Sequence, residues 1–371
     1  MLMDGGAHCR LALFVPSMRG GGAERVTATL ATEMAARGYA VDLLLAQCEG
    51  PYLDALPDSV RLIDFRASRV LFSLPALVRY LRRERPQALL SMMWHTNIVT
   101  LCARRLAGVP TRVVVSERVG LEWRFENAKR RLDALLPWLI RRFYPWADDI
   151  VAVSYGVADE LVQIAGIPRE HIRTIYNPVV RPELREKVLA PLDHPWFTPG
   201  EPPVVVSVGR LTPQKDFPSL IRAVAQARQT QPVRLLILGE GEQRHELEAL
   251  ARQLGIEQDV SLPGFVANPY AYMARAAVYV LSSRWEGLPG VLIEALYCGV
   301  PVVATDCPSG PKEILADGRY GRLVPVTDVN ALTQAINMAL ADEIPRPPKE
   351  SWRPFEMETV VQQYVDVLLA N

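Results

Sequence analysis

The stretch Val-Val-Val-Ser-Val-Gly-Arg-Leu-Thr-Pro-Gln-Lys-Asp, residues 204–216, decides the fold. Its first five residues form a β-branched run typical of a parallel strand that is buried on both faces. A loop with two cations, Arg210 and Lys215, follows at once, and ligands of doubly wound α/β sheets bind beyond the carboxyl ends of the strands. The stretch therefore predicts an α/β sheet with an anion site at its edge, although a solvated surface pair of cations is the alternative.

Short apolar runs alternate with helical periods on both sides of this stretch. Seven such runs lie before residue 178, and six lie after residue 203. A proline-rich connector separates the two series, and proline favours extended chain. The alternation predicts two Rossmann-like doubly wound domains, residues 1–178 and 179–350. Residues 351–371 form a C-terminal segment with a last helix.

Composition limits the possible classes. The 371 residues are 49% hydrophobic and 22% charged, as in ordinary globular proteins. Lys plus Arg and Asp plus Glu number 41 each, so net charge gives no support for a nucleic-acid partner. Residues 1–178 nevertheless carry 23 basic and 18 acidic residues, a net charge of +5. This bias suits an acidic acceptor or an anionic membrane surface.

The cysteines and the apolar runs indicate a compartment. The five cysteines are scattered and form no Cys-x-x-Cys pair, so we expect reduced thiols and no metal site. No apolar run approaches the length of about 18 residues that a membrane span needs. We therefore expect a cytoplasmic protein, at most peripheral at the inner face of the membrane.

A second segment, Arg-Trp-Glu-Gly-Leu-Pro-Gly-Val-Leu-Ile-Glu at residues 284–294, carries two carboxylates just after an apolar run. Glu286 precedes a predicted helix and Glu294 lies about one turn inside it, so both point from one strand end towards ligand hydroxyls. The helix N-terminus near Gly290 offers backbone donors for phosphate. Carboxylates among apolar neighbours are costly to bury without partners, which favours a ligand site over a structural role.

A glycine loop, Gly20–Glu24, follows the first run and opens a helix. Glycine lets backbone N–H groups approach an anion, although a tight turn alone is the alternative. The spacing is not Gly-x-Gly-x-x-Gly, and the second run ends at Gln47 without the acidic residue that holds an NAD ribose. A dinucleotide oxidoreductase is therefore disfavoured.

Together these segments resemble glycosyltransferase family 4, which has the GT-B fold, and in particular its bacterial lipopolysaccharide-core and surface-polysaccharide branch. The resemblance runs essentially end to end and includes Gly20–Glu24, Ser116–Arg118, Asn177-Pro178, Ser207–Lys215, Gly239–Gly241, Glu286–Glu294 and Cys307–Pro311. It implies two Rossmann-like domains facing a central cleft, with a last helix that crosses back onto the N-terminal domain.

The resemblance also implies a role for each matching residue. Arg210 and Lys215 would bind the donor diphosphate and stabilise it as it leaves. Glu286 would contact the transferred sugar, and Glu294 would hold the ribose. The other implied donor-binding residues are Gly21, Gly264, Phe265, Gly287 and Leu288.

The implied reaction is retaining transfer of a hexose, with N-acetylglucosamine as one candidate, from a UDP-sugar to a lipopolysaccharide-core or lipid-linked saccharide acceptor. No Asp-x-Asp occurs in the chain, so two cations would take the place of a metal, and no resident cofactor is expected. A GT-B-fold sugar-nucleotide epimerase is the alternative. A non-catalytic scaffold is disfavoured because both cations and both glutamates are present.

Two residues of the N-terminal domain each have a functional and a structural interpretation. His95 follows the fourth run, where family members carry a catalytic histidine, but alignment through Asn97 places Trp94 there; a core histidine is the other interpretation. Arg118 follows the fifth run and is assigned to acceptor binding, with a structural salt bridge as the alternative. The basic and aromatic stretch Lys129–Trp146 fits a membrane interface or a packed helix with a solvated face.

Overall fold

The computed structural model describes residues 9–19, 21–118 and 131–370, and for residues 131–134 only the backbone. It divides into two compact units. Unit 1 comprises Met1–Pro178 with Met357–Asn371, and unit 2 comprises Val179–Glu356. Within the described ranges, no helix is both long and apolar enough to cross a membrane.

Strands and helices alternate through both units. The strands are β1 (Arg10–Val15), β2 (Ala40–Leu45), β3 (Val60–Asp64), β4 (Ala88–Met92), β5 (Arg112–Glu117), β6 (Asp149–Ala152), β7 (Ile172–Thr174), β8 (Val204–Val208), β9 (Arg234–Leu238), β10 (Val260–Gly264), β11 (Val278–Leu281), β12 (Val302–Thr305) and β13 (Arg322–Val324). The described helices are α1 (Gly22–Ala36), α2 (Leu74–Glu84), α3 (Trp94–Ala107), α4 (Arg131–Phe143), α5 (Tyr155–Ala165), α6 (Leu184–Leu189), α7 (Phe217–Ala227), α8 (Arg244–Gln253), α9 (Pro269–Met273), α10 (Gly290–Cys298), α11 (Pro311–Ile314), α12 (Val329–Leu340) and α13 (Met357–Leu368).

Each unit is built on one parallel sheet. The order in unit 1 is β3-β2-β1-β4-β5-β6-β7, and the order in unit 2 is β10-β9-β8-β11-β12-β13. The strand order reverses between β1 and β4 and again between β8 and β11. Such a reversal is the switch point at which open α/β sheets bind ligands. The predicted pair of doubly wound domains is confirmed.

The central strands explain the apolar runs of the sequence. All residues of Leu11–Val15 are fully buried, because β1 pairs in parallel with β2 and β4 and helices cover both faces. The last helix, α13, belongs to the same core. Its residues Val360, Val361 and Tyr364 are fully buried beside side chains of α1 and β1.

The two chain segments at which unit 2 begins and ends are paired with each other. The N–H groups of Val179 and Val180 both donate to the Phe355 carbonyl oxygen, at 3.1 and 3.0 Å. Val180 and Glu356 also form a parallel β-bridge. The first two residues of unit 2 are therefore hydrogen-bonded to its next-to-last residue.

Candidate functional site

Lys215 and Glu286 form the centre of the candidate site in unit 2. The loop after β8 brings Lys215 Nζ within 2.6 Å of Glu286 Oε1, and the side chains are 14% and 10% exposed. Solvent screens such a pair much less than it screens a surface ion pair. Ser283 Oγ donates to the same carboxylate oxygen at 2.7 Å. A cation and an anion thus meet at the switch point between β8 and β11.

The two loops that carry this pair are joined by hydrogen bonds. The Arg284 N–H donates to the Gln214 carbonyl oxygen at 2.8 Å, and Gln214 Nε2 donates to the Trp285 carbonyl oxygen at 2.9 Å. Ser282 Oγ donates to the Lys215 carbonyl oxygen at 2.7 Å. These hydrogen bonds hold the loop after β8 against the loop after β11. Lys215 and Glu286 are therefore kept close by the backbone as well as by the attraction between their charges.

Asp216 stabilises the turn that ends at Lys215. It is buried and has a φ of +47°, a left-handed value that aspartate tolerates better than most residues. Its carboxylate accepts from Ser219 Oγ at 2.8 Å and from Arg284 Nη2 at 3.0 Å. The buried carboxylate therefore connects the loop after β8 to the loop after β11.

Arg210 lies at the exposed side of the same loop. Among the residues that the structure describes, its guanidinium makes no hydrogen bond or ion pair. Its backbone is held closely, because the Leu211 N–H donates to the Glu240 carbonyl oxygen at 2.9 Å. A Cβ on Gly239 would lie 2.0 Å from the Gly209 carbonyl oxygen. Glycine at 239 thus allows the loop after β8 to lie close to the end of β9, while the Arg210 guanidinium stays in solvent.

Glu294 is the second carboxylate of the site and is buried in α10. Tyr270 Oη donates to Glu294 Oε1 at 3.1 Å, so the buried carboxylate has a partner. The pKa of the Tyr279 phenol in β11 is raised well above its usual value, first by burial and then by the charges of Glu294 and Glu286. Glu286 thus lies in the loop after β11, and Glu294 lies in the first turns of the helix that follows this loop.

The backbone before α10 is shaped by a distant glycine. Gly310 has a φ of +91°, and a Cβ there would lie 2.6 Å from Pro289 Cδ and 3.0 Å from the Gly287 carbonyl oxygen. Leu288, between them, is buried. No described side chain caps the first turn of α10, which begins at Gly290, so its backbone N–H groups are donors for an anion.

Gly264 is the last residue of β10 and Phe265 follows it, at the same carboxyl end of the sheet. Gly264 has a φ of +91°, and a Cβ there would lie 2.6 Å from Glu240 Oε1. Its carbonyl oxygen accepts from the Gly239 N–H at 2.9 Å. The Phe265 side chain is 83% exposed, so its ring offers an uncovered face for stacking.

In unit 1, Gly21 and His95 follow the two strands of the switch point. Gly21 directly precedes α1; Gly20, before it, is outside the described residues. His95 lies in the first turn of α3, and its ring contacts the Trp94 ring edge-on with centroids 5.3 Å apart. Met93, before this turn, has a φ of +77°, which is uncommon for a residue other than glycine.

Arg118 is directed into unit 1. It is only 7% exposed, and its guanidinium donates to Tyr364 Oη at 3.2 Å and to Asn177 Oδ1. Its neighbour Glu117 is also buried and accepts from Tyr144 Oη. These contacts connect the end of β5 to α13 and to the segment after α4. They provide a structural reason for Arg118, and acceptor binding stays a prediction.

The basic and aromatic stretch Lys129–Trp146 begins outside the described residues. Its described part exposes Leu135 and Trp138 on α4. The Arg142 guanidinium lies 4.9 Å from the centroid of the Trp146 ring, in a cation–π contact. Exposed apolar and cationic side chains therefore occur together here, and membrane binding stays a prediction.

Four residues of the site had no predicted role, namely Gln214, Asp216, Tyr270 and Ser283. Each contacts a predicted residue or the loop that carries it. The first two lie in the stretch 204–216, where adjacency to Lys215 was the only signal. Tyr270 is 24 residues from Glu294, and no sequence pattern connects them.

Comparison with known proteins places the chain in a family. The model of Glycosyltransferase Family 4 matches residues 20–181, and the model of glycosyl transferases group 1 matches residues 192–353. The chain is 32% identical over 346 residues to the N-acetylgalactosamine-N,N'-diacetylbacillosaminyl-diphospho-undecaprenol 4-alpha-N-acetylgalactosaminyltransferase of Campylobacter jejuni. That match covers 90% of this chain and 91% of the relative. The chain belongs to glycosyltransferase family 4.

Another relative and a solved structure agree with this assignment. The lipopolysaccharide core biosynthesis glycosyltransferase LpsE of Rhizobium meliloti is 31% identical over 335 residues, which cover 87% of this chain and 86% of LpsE. The crystal structure of Anabaena Alr3699/HepE in complex with UDP-glucose has a TM-score of 0.78 at 22% identity. It covers 98% of this chain and 100% of its own. The predicted GT-B fold is confirmed.

Proposed function

We propose that the protein is a retaining, metal-independent glycosyltransferase that moves a hexose from a UDP-sugar to a lipopolysaccharide-core or lipid-linked saccharide acceptor. The observation that carries this proposal is the largely buried Lys215–Glu286 pair at the switch point of unit 2. The Campylobacter jejuni relative is named for a diphospho-undecaprenol substrate and LpsE for lipopolysaccharide core biosynthesis. These names support the acceptor class.

The donor diphosphate binds between the two cations of the loop after β8. Arg210 offers a planar fork for two phosphate oxygens, and Lys215 offers three N–H donors, of which Glu286 uses one. The backbone N–H groups at the start of α10 add donors and partial positive charge. The uncovered guanidinium of Arg210 supports this assignment, because the ligand provides the partner that the described residues do not.

The sugar and the nucleoside bind to the groups around the diphosphate. Glu286 accepts from hydroxyls of the transferred hexose, and Glu294, supported by Tyr270, accepts from the ribose. Phe265 stacks on the base. Backbone contacts come from Gly21, Gly264, Gly287 and Leu288. The complex of HepE with UDP-glucose supports a uridine donor.

Catalysis consists mainly of stabilising the leaving diphosphate. The charge that develops there is met by two cations, Lys215 held against Glu286 and the solvent-exposed Arg210. Loss of one such group typically lowers a rate about 10²–10³-fold. Attack by the acceptor on the face that the leaving group vacates retains the anomeric configuration. We assign His95, after β4, to the side of the reacting sugar. In the cell, the stretch Lys129–Trp146 holds this cytoplasmic protein peripherally at the membrane.

Calorimetry and a transfer assay test the proposal. UDP should bind in the presence of EDTA as tightly as with magnesium, and more tightly than GDP. Incubation with UDP-N-acetylglucosamine, UDP-N-acetylgalactosamine or UDP-glucose and a lipid-linked saccharide should release UDP only when the acceptor is present. NMR of the product should show the anomeric configuration of the donor. Conversion of the donor to its epimer without an acceptor would instead identify an epimerase, and metal-dependent UDP binding would contradict the assignment of the cations.

A further inference from the structure

The segment Arg61–Arg85 concentrates the positive charge of unit 1. It contains seven arginines and two acidic residues, Asp64 and Glu84, for a net charge of +5. This charge equals the whole excess of residues 1–178. The segment comprises most of β3, the turn after it and α2.

Four side chains between β3 and α2 are exposed, and we call them the cationic–apolar tip: Arg66, Arg69, Leu71 and Phe72. Leu71 and Phe72 are 64% and 61% exposed. Neither guanidinium of the tip makes an ion pair or a hydrogen bond within the described part of the chain. The turn is nevertheless held in place, since Asp64 Oδ1 accepts from the Arg66 N–H at 2.9 Å.

The tip lies at the carboxyl end of the parallel strands, where open α/β sheets bind ligands. It follows β3, and all seven strands of unit 1 are parallel, so the tip shares the carboxyl edge with the loops after β1 and β4. The turn Val70–Ser73 packs against α3, the helix that carries His95 in its first turn.

We propose, on the basis of the transferase function above, that the tip binds the lipid phosphate end of the acceptor. Leu71 and Phe72 contact the hydrocarbon chain, and the phosphate or diphosphate accepts from Arg66 and Arg69. The guanidinium fork matches phosphate oxygens in pairs. A free saccharide presents hydroxyls, which need neither two unpaired cations nor an exposed apolar pair. The chemistry of the tip therefore selects a lipid-linked, phosphate-bearing acceptor.

An anionic bilayer is the competing occupant, and α2 provides the control for it. Arg79 and Arg83 are exposed on this helix in the same charged segment. Non-specific attraction to a charged surface uses every exposed cation near it. A specific phosphate site at the tip depends on Arg66 and Arg69 and not on Arg79 and Arg83.

Flotation with vesicles separates the two occupants. Phosphatidylcholine vesicles doped with polyprenyl phosphate are compared with vesicles doped with phosphatidylglycerol to the same surface charge. The full chain should bind the polyprenyl phosphate vesicles about ten-fold more tightly, and R66A/R69A or L71S/F72S should each remove that preference. R79A/R83A should keep it. Equal binding to both kinds of vesicle, or loss of the preference in R79A/R83A, would overturn the proposal.

A second measurement keeps this result apart from the transferase function. UDP binding depends on unit 2 and should be unchanged in the tip variants, while transfer to a lipid-linked saccharide should fall. If the wild-type chain binds no UDP, the transferase proposal fails, and the vesicle preference still decides whether the tip binds a lipid phosphate. Unchanged transfer by R66A/R69A to a lipid-linked acceptor would count against the tip.

Discussion

The carboxyl edges of the two sheets are organised in opposite ways. In unit 2 the polar residues after β8 and β11 bond to one another, with the Lys215–Glu286 pair at the centre. In unit 1 the polar residues Glu117 and Arg118 are buried and bond inward, and the cations that remain at the edge, such as Arg66, are exposed. Unit 2 therefore presents a preorganised site. In unit 1, the exposed cations at the carboxyl end of the sheet would find their partners in a bound ligand.

Removal of a donor-site cation is the strongest test of this contrast. Arg210→Ala and Lys215→Ala should each lower kcat for transfer about 10²–10³-fold, because each removes charge from the leaving diphosphate. Lys215→Ala also leaves the largely buried Glu286 carboxylate without its cation, so thermal unfolding must be measured beside the rate. Arg210→Ala breaks no side-chain bond among the described residues and isolates the chemical effect. Lys349→Ala, exposed in the same unit, is the control. A rate near wild type in the double variant would remove the diphosphate role.

The two glutamates should differ in what they disturb. Glu286→Ala should lower transfer about 10²-fold with little effect on UDP affinity, because its carboxylate contacts the sugar. Glu294→Ala should weaken UDP binding about ten-fold, since the ribose loses an acceptor. Calorimetry with UDP and steady-state kinetics with UDP-sugar separate these effects. Equal losses of UDP affinity in both variants would contradict the division of roles.

Replacement of Arg118 tests whether this residue stabilises unit 1 or binds the acceptor. Arg118→Ala should lower the free energy of unfolding by about 2 kcal/mol, because Tyr364 Oη and Asn177 Oδ1 lose a charged partner in a buried place. Urea denaturation measures this change, and Tyr364→Phe should reproduce part of it. Wild-type stability combined with a raised KM for the acceptor would instead support the acceptor-binding role.

Gly310 should affect activity less than the donor-site cations do, and it has a matched control. Gly310→Ala places a Cβ 2.6 Å from Pro289 Cδ and should displace the backbone before α10, which lowers kcat/KM for the donor about ten-fold. Gly318→Ala also places a side chain on a residue of positive φ, +92°, but its Cβ would meet nothing nearer than 3.6 Å. Both variants should lose about 1–2 kcal/mol of stability, because alanine is strained at positive φ, and only the first should change donor kinetics. Equal kinetics would show that Gly310 acts through folding alone.

The sequence predicted what depends on local pattern. Buried strands such as β1 and β8 are fixed by apolar runs, and the loops after β8 and β11 follow from their position at strand ends. The partners of these loops could not be predicted in the same way. Tyr270 and Gly310 reach the site from distant parts of the chain, and neither has a spacing relationship to the residue that it contacts.

The distribution of charged residues shows a second limit of prediction from the sequence. The sequence singled out the basic stretch Lys129–Trp146 in residues 1–178, because aromatic residues are interleaved there. A net charge equal to that of residues 1–178 is present within Arg61–Arg85. Only the exposure of Leu71 and Phe72 distinguishes that segment from an ordinary strand, turn and helix. Exposure depends on what the rest of the fold covers, and no local pattern reports it.

The place of α13 in the core of unit 1 has a consequence for biosynthesis. A ribosome makes residues 179–356 before it makes α13, so unit 2 is complete, with its two ends bonded through Val180 and Phe355, while unit 1 still lacks a core helix. The nascent chain therefore holds an unfinished apolar surface around Leu30 and Val114 during that interval. Chaperone dependence during translation should thus come from unit 1, although its residues emerge first.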